Sequence, residues 1–152
     1  MDAPALLRAN ADDIVEQSVD AVLGSKLTRY TASGRDVLRC RLSALLDVLA
    51  RGIEAHDAAP TIARACSIAA ERYADGFELQ EVQCAINILE ATVWQVLARE
   101  LPVERFADAI RAMSSILGLA KDALARSYVE LAAGHHAPAV DTAALFRGTD
   151  GV

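Results

Sequence analysis

Apolar positions recur at helical spacing along most of the chain. Between about Pro4 and Leu23, Leu7, Ala11, Ile14, Val15, Ser18 and Val22 share one side, with Asp12, Asp13, Glu16 and Asp20 on the other. This predicts a first helix, ended by Gly24 in the left-handed C′ conformation. Ser25 to Ser33 shows no clear period. Ser33-Gly34-Arg35-Asp36 has capping-box spacing, with Asp where Glu is usual, and opens a second predicted helix to about Ile53. Its stripe is Leu38, Leu42, Leu45, Leu46, Leu49 and Ile53. Pro60 suits the first position of a short third helix, Thr61 to about Tyr73, before Asp75-Gly76 breaks the chain.

A fourth helix is predicted from about Glu78 to Arg99, and it is apolar on more than one side. Leu79, Val82, Ile86, Leu89, Val93 and Val96 form its main face, while Cys84, Ala85, Ile88 and Ala91 carry the apolar surface round the back. One narrow polar stripe remains, Gln80, Gln83, Asn87 and Glu90, with Trp94 beside it. Such a helix belongs at the centre of a bundle. Leu101-Pro102 closes it. In the fifth helix, Val103, Phe106, Ile110, Met113, Leu117, Ala120, Leu124, Ser127 and Leu131 advance alternately by 3 and 4 residues. A seam of that period packs near-parallel against another helix, either inside the bundle or across a dimer axis. In the dimer reading the interface is Phe106, Ile110, Met113, Leu117, Leu124 and Leu131. Gly134 is expected to end this helix, dividing the chain into a helical domain over 1–133 and a flexible C-terminal tail over 134–152.

Composition narrows the class. The 152 residues include about one-fifth alanine, and 53% are hydrophobic but only 5% aromatic, which favours one all-α domain. A helical bundle, globin-like in the looser sense, with about five main helices is the expected fold class. The net charge of −6 argues against a nucleic-acid or anionic-lipid surface, although arginine outnumbers lysine 13 to 2. No run of apolar residues is long enough to span a bilayer, and Met1-Asp2-Ala3-Pro4 lacks the basic start of a signal peptide. A cytoplasmic protein is expected. Cys40, Cys66 and Cys84 have no C-x-x-C spacing and read as small buried hydrophobes.

Catalytic constellations are missing from the pattern. There is no glycine-rich phosphate loop, and the histidines, His56, His135 and His136, show neither H-x-x-x-H nor E-x-x-H spacing. No catalytic residue, metal ligand or cofactor is assigned. A helix-turn-helix reading of the third and fourth helices fails on charge, because no Lys or Arg lies between Tyr73 and Ala98. The pair Glu78 and Glu81 fits a solvated helix start. What is left is the stripe Gln83, Asn87 and Glu90 with Trp94. Either it faces water, or it forms a pocket wall or a partner-binding seam, since buried amides without partners cost about 1 to 3 kcal/mol each.

These residues resemble a known family. Ile14-Val15-x-x-Ser18, the segments Tyr73-Ala74-Asp75-Gly76-Phe77-Glu78-Leu79-Gln80-Glu81-Val82 and Ile88-Leu89-Glu90-Ala91-Thr92-Val93-Trp94-Gln95-Val96-Leu97, and Ala125-Arg126-Ser127-Tyr128-Val129-Glu130 carry the likeness. They are similar to the helical N-terminal domain of the RsbT co-antagonist (RsbRD-type) proteins, over about Leu6 to Leu131. The resemblance implies a haem-free sensory or regulatory domain, usually dimeric and followed by an output module such as a STAS domain; the chain is then expected to be either a free-standing sensor or adaptor acting through another protein, or the input half of something longer. A non-enzymatic signalling homodimer that binds a regulatory protein and is gated by a small ligand is therefore the expected function. The alternative is a globin-like binder of a small apolar ligand or cofactor, with its pocket near Trp94 and Phe106.

Overall fold

A computed structural model describes residues 1–134; of the expected tail over 134–152, everything after Gly134, including His135 and His136, lies outside the described residues. Seven helices and no strand occur among the described residues, confirming the all-α bundle. They are α1 (Ala3–Ala9), α2 (Ala11–Gly24), α3 (Thr28–Ser33), α4 (Arg35–Ala55), α5 (Ala59–Ala74), α6 (Leu79–Glu100) and α7 (Val103–Ala133). No helix is long and apolar enough to cross a membrane.

The first predicted helix is two. Asn10 donates through its side chain (2.9 Å) and its backbone N–H (3.0 Å) to the Leu6 carbonyl, closing α1, while its own carbonyl accepts from Ile14 and opens α2. Local amide hydrogen bonding of this kind competes with helix continuation without disturbing the apolar period. At the far end of α2, the left-handed residue is Lys26 (φ 61°) rather than Gly24. The unpatterned stretch that follows contains α3, one turn and a half anchored by buried Tyr30. Ser33 does not cap α4, because its hydroxyl donates back to the Arg29 carbonyl at 3.0 Å. The N-cap is Gly34, at φ 87°.

The middle of the chain follows the predicted pattern closely. His56 ends α4 in the left-handed conformation, and Asp57 Oδ1 accepts from the Ala59 N–H at 2.9 Å to start α5. This corner is tight: a Cβ on Gly52 would stand 2.9 Å from the Asp57 carbonyl oxygen. Glu78 and Glu81 form a reciprocal capping box at the start of α6, with Glu81 Oε2 accepting from the Glu78 N–H at 3.1 Å. Gly134, at φ 72°, caps α7 as expected.

One contiguous core joins all the long helices. Helix α6 packs against α1, α2 and α7, whereas α4 meets α1, α2, α3, α5 and α7 and so takes the central place expected of α6; α7 packs most extensively along α5. Val82, Ile86, Leu89, Val93 and Val96 are buried on α6, as the periodicity requires. The cysteines depart from expectation: Cys40 and Cys66 are exposed and Cys84 is half-buried. Cys40 and Cys84 fall on the side of their helices turned away from the buried stripe, so helical periodicity rather than residue type decides their exposure.

Candidate functional site

Two polar regions lie toward opposite ends of α6. The first contains the residues expected from sequence. Gln83 and Glu90 are half-buried, Asn87 is exposed and Trp94 is 37% exposed, so the stripe lies along the surface of the bundle. It is not left without partners. Lys121 of α7 donates from Nζ to Asn87 Oδ1 at 2.9 Å and to Glu90 Oε2 at 2.5 Å. Asn87 and Glu90 are thus joined into a network across the α6–α7 seam.

Beyond this network, Trp94 packs edge to face on Phe106, with ring centroids 5.6 Å apart. Val103, 83% exposed, lies at the same corner, and Phe106 and Ile110 are half-buried. Exposed residues of both signs, Arg99, Glu100, Glu104 and Arg105, adjoin it in sequence.

The heptad seam divides. Met113, Leu117 and Leu124 are fully buried in the chain's own core, so the structure withdraws these three from an interface with a second copy. The 3.5 period was filled by intramolecular partners, chiefly α5. Phe106 and Ile110 at one end, and Leu131, 43% exposed, at the other, remain accessible.

The second region is one that sequence reading missed. Arg41 of α4 and Arg72 of α5 converge on the Phe77 ring in the α5–α6 turn, their guanidinium carbons 5.9 and 5.7 Å from its centroid. Tyr30 of α3 meets the same ring edge to face, at 4.8 Å. Tyr128 of α7 donates to the Phe77 carbonyl at 3.1 Å and fixes the turn. The Arg72 side chain is only 3% exposed, and its one ion pair is a long one, Nη1 to Glu71 Oε2 at 3.4 Å. Buried guanidinium nitrogens without acceptors are Arg41 Nη1, Arg64 Nε and Arg72 Nε, and two of these three meet here.

The electrostatics follow from that packing. Burial, then the neighbouring Arg72 charge, lowers the Arg41 pKa. Burial raises the Tyr30 pKa against the opposing pull of Arg72. Burial also pushes the Tyr128 hydroxyl up to about 12. A signal for this cluster was present in the sequence. Arg72 continues the apolar stripe Thr61, Ala65, Ile68 and Ala69 of α5, and a cation on such a stripe must be placed inside the bundle or bend out of it.

Two clefts border these regions. One, of about 510 Å³, lies between α1, the end of α4 and the start of α7, and includes Asp2, Glu54, His56 and Arg105. Another, of about 500 Å³, lies beside Gly76 and includes Lys26, Arg29, Glu78 and Glu81. Among the described residues no three His, Cys, Asp or Glu side chains group closely enough to hold a metal ion. No family model, curated protein or solved structure matches the chain.

Proposed function

We propose that this chain is a non-enzymatic regulatory module that pairs with a second copy through the corner between α6 and α7 and, so assembled, binds a regulatory protein. The observation that carries the reading is the half-exposed Trp94–Phe106 ring pair beside exposed Val103. Large aromatic side chains at a surface corner are the usual anchors of protein contacts. The surrounding charges have both signs, Arg99 and Arg105 beside Glu100 and Glu104, and an isologous contact needs such a self-complementary rim. The resemblance to RsbRD-type N-terminal domains supports a regulatory role for a dimer of this kind.

Light scattering over a range of concentrations tests the pairing. The wild type should run as a dimer and Trp94→Asp as a folded monomer. A wild type that stays monomeric at every concentration would contradict the proposal, as would a Trp94→Asp variant that remains dimeric.

A further inference from the structure

The geometry points to a binding site for a phosphate group at the Arg41–Arg72–Phe77 cluster. Two guanidinium groups from different helices are held over one aromatic ring, and each carries a buried N–H that meets no acceptor in the protein. Bringing like charges together under a shared low-dielectric cover is unfavourable unless an anion stands between them. The carboxylates nearby do not fill that role. Glu71 reaches Arg72 only at 3.4 Å and Asp75 is exposed, while Glu81 already accepts from the Glu78 N–H. Tyr128 spends its hydroxyl proton on the Phe77 carbonyl.

The chemistry favours a phosphate dianion. Paired guanidinium forks suit oxygens arranged around one centre, and two positive charges match two negative ones. Arg41 is only partly covered whereas Arg72 is 3% exposed, so a phosphate would have to enter along the Arg41 side chain. The Phe77 ring contacts both cations, and Tyr30 packs edge to face on Phe77. The site is distant from Trp94: Leu79 to Trp94 on α6 spans about 22 Å at 1.5 Å per residue. It stands independently of the proposed pairing.

Calorimetric titration with inorganic phosphate, at ionic strength held constant with chloride, tests the assignment. The wild type should bind one phosphate per chain. Arg41→Gln should weaken binding at least tenfold, and Arg72→Met, which keeps the buried volume, should abolish it. Should Arg72→Met fail to fold by circular dichroism, Arg41→Gln at the half-exposed position still decides the matter. Methyl phosphate, titrated in parallel, distinguishes the source: tighter binding than inorganic phosphate identifies a phosphomonoester ligand, and weaker binding identifies free phosphate. A wild type that binds neither compound overturns the proposal. So does binding that survives intact in Arg41→Gln.

Discussion

Lys121 and Arg72 are both cations set between helices, yet their surroundings differ in kind. Lys121 is about one-quarter exposed and finds Glu90 and Asn87 within hydrogen-bond reach, so its network closes on itself. Arg72 is 3% exposed, has a single long ion pair, and keeps a buried N–H without an acceptor. The first arrangement helps hold α6 and α7 together. The second leaves a buried N–H without an acceptor, an arrangement that costs stability rather than adding to it.

The aromatic residues at the two ends should give the largest contrast. Phe77 is 6% exposed and touches Tyr30 and both arginines, so Phe77→Ala should cost about 3 to 5 kcal/mol in urea denaturation. Trp94→Ala, at a concentration where the chain is monomeric, should cost only about 1 to 2 kcal/mol, because the ring is already partly wet. Equal costs would mean that the two ends are built alike.

Methionine in place of each cation sharpens the comparison through its sign. Arg72→Met should raise the stability of the phosphate-free chain by about 1 to 2 kcal/mol, since an incompletely paired charge leaves the core. Lys121→Met should lower it by roughly 0.5 to 1 kcal/mol, since Glu90 loses its partner. Thermal melts in phosphate-free buffer measure both. A destabilised Arg72→Met variant would show that the guanidinium is satisfied within the fold.

Titration to high pH reaches the cluster by another route. The folded Tyr128 pKa of about 12 lies above its ordinary value of 10, so the folded state holds the phenolic proton more tightly than the unfolded state does. This contribution is fully present below pH 10 and is lost as pH rises from 10 toward 12. The part of the tyrosinate absorbance that Tyr128→Phe removes should therefore develop late and in step with unfolding.

The smallest effect lies at the surface between α2 and α4. Arg39 foremost, with Arg35, holds the Glu16 carboxyl below its ordinary range. This contribution is present above the ordinary carboxylate pKa and fades as pH falls through the depressed value. Because these side chains are solvated, added salt should weaken it as well, and acid melts at two ionic strengths read both dependences.

The helices from α4 onward were legible because each repeats its apolar positions over several turns, and those positions are buried except toward the ends of α7, where Val103 and Leu131 are exposed. The α1–α2 break was not, because Asn10 interrupts the backbone while leaving the side-chain period intact. Nor was α3, too short to establish a period. The seam of α7 was legible as a seam but not in its partner. Met113, Leu117 and Leu124 satisfy the same 3.5 spacing whether the facing helix belongs to this chain or to another. Of the polar stripe, the residues could be read from α6 alone, whereas Lys121 comes from a helix whose register against α6 is set by tertiary packing. The arginine cluster depends on four separate elements meeting at Phe77, and only the position of Arg72 on an apolar stripe hinted at it.

Trp94, the single tryptophan of the chain, offers the most direct test of the proposed pairing. Its fluorescence should be blue-shifted and shielded from a soluble quencher in the concentrated dimer, and should shift to the red and become quenchable as dilution releases the monomer. An emission that reports a solvent-exposed ring at every concentration, while the mass is that of a dimer, would place the interface elsewhere and contradict the account.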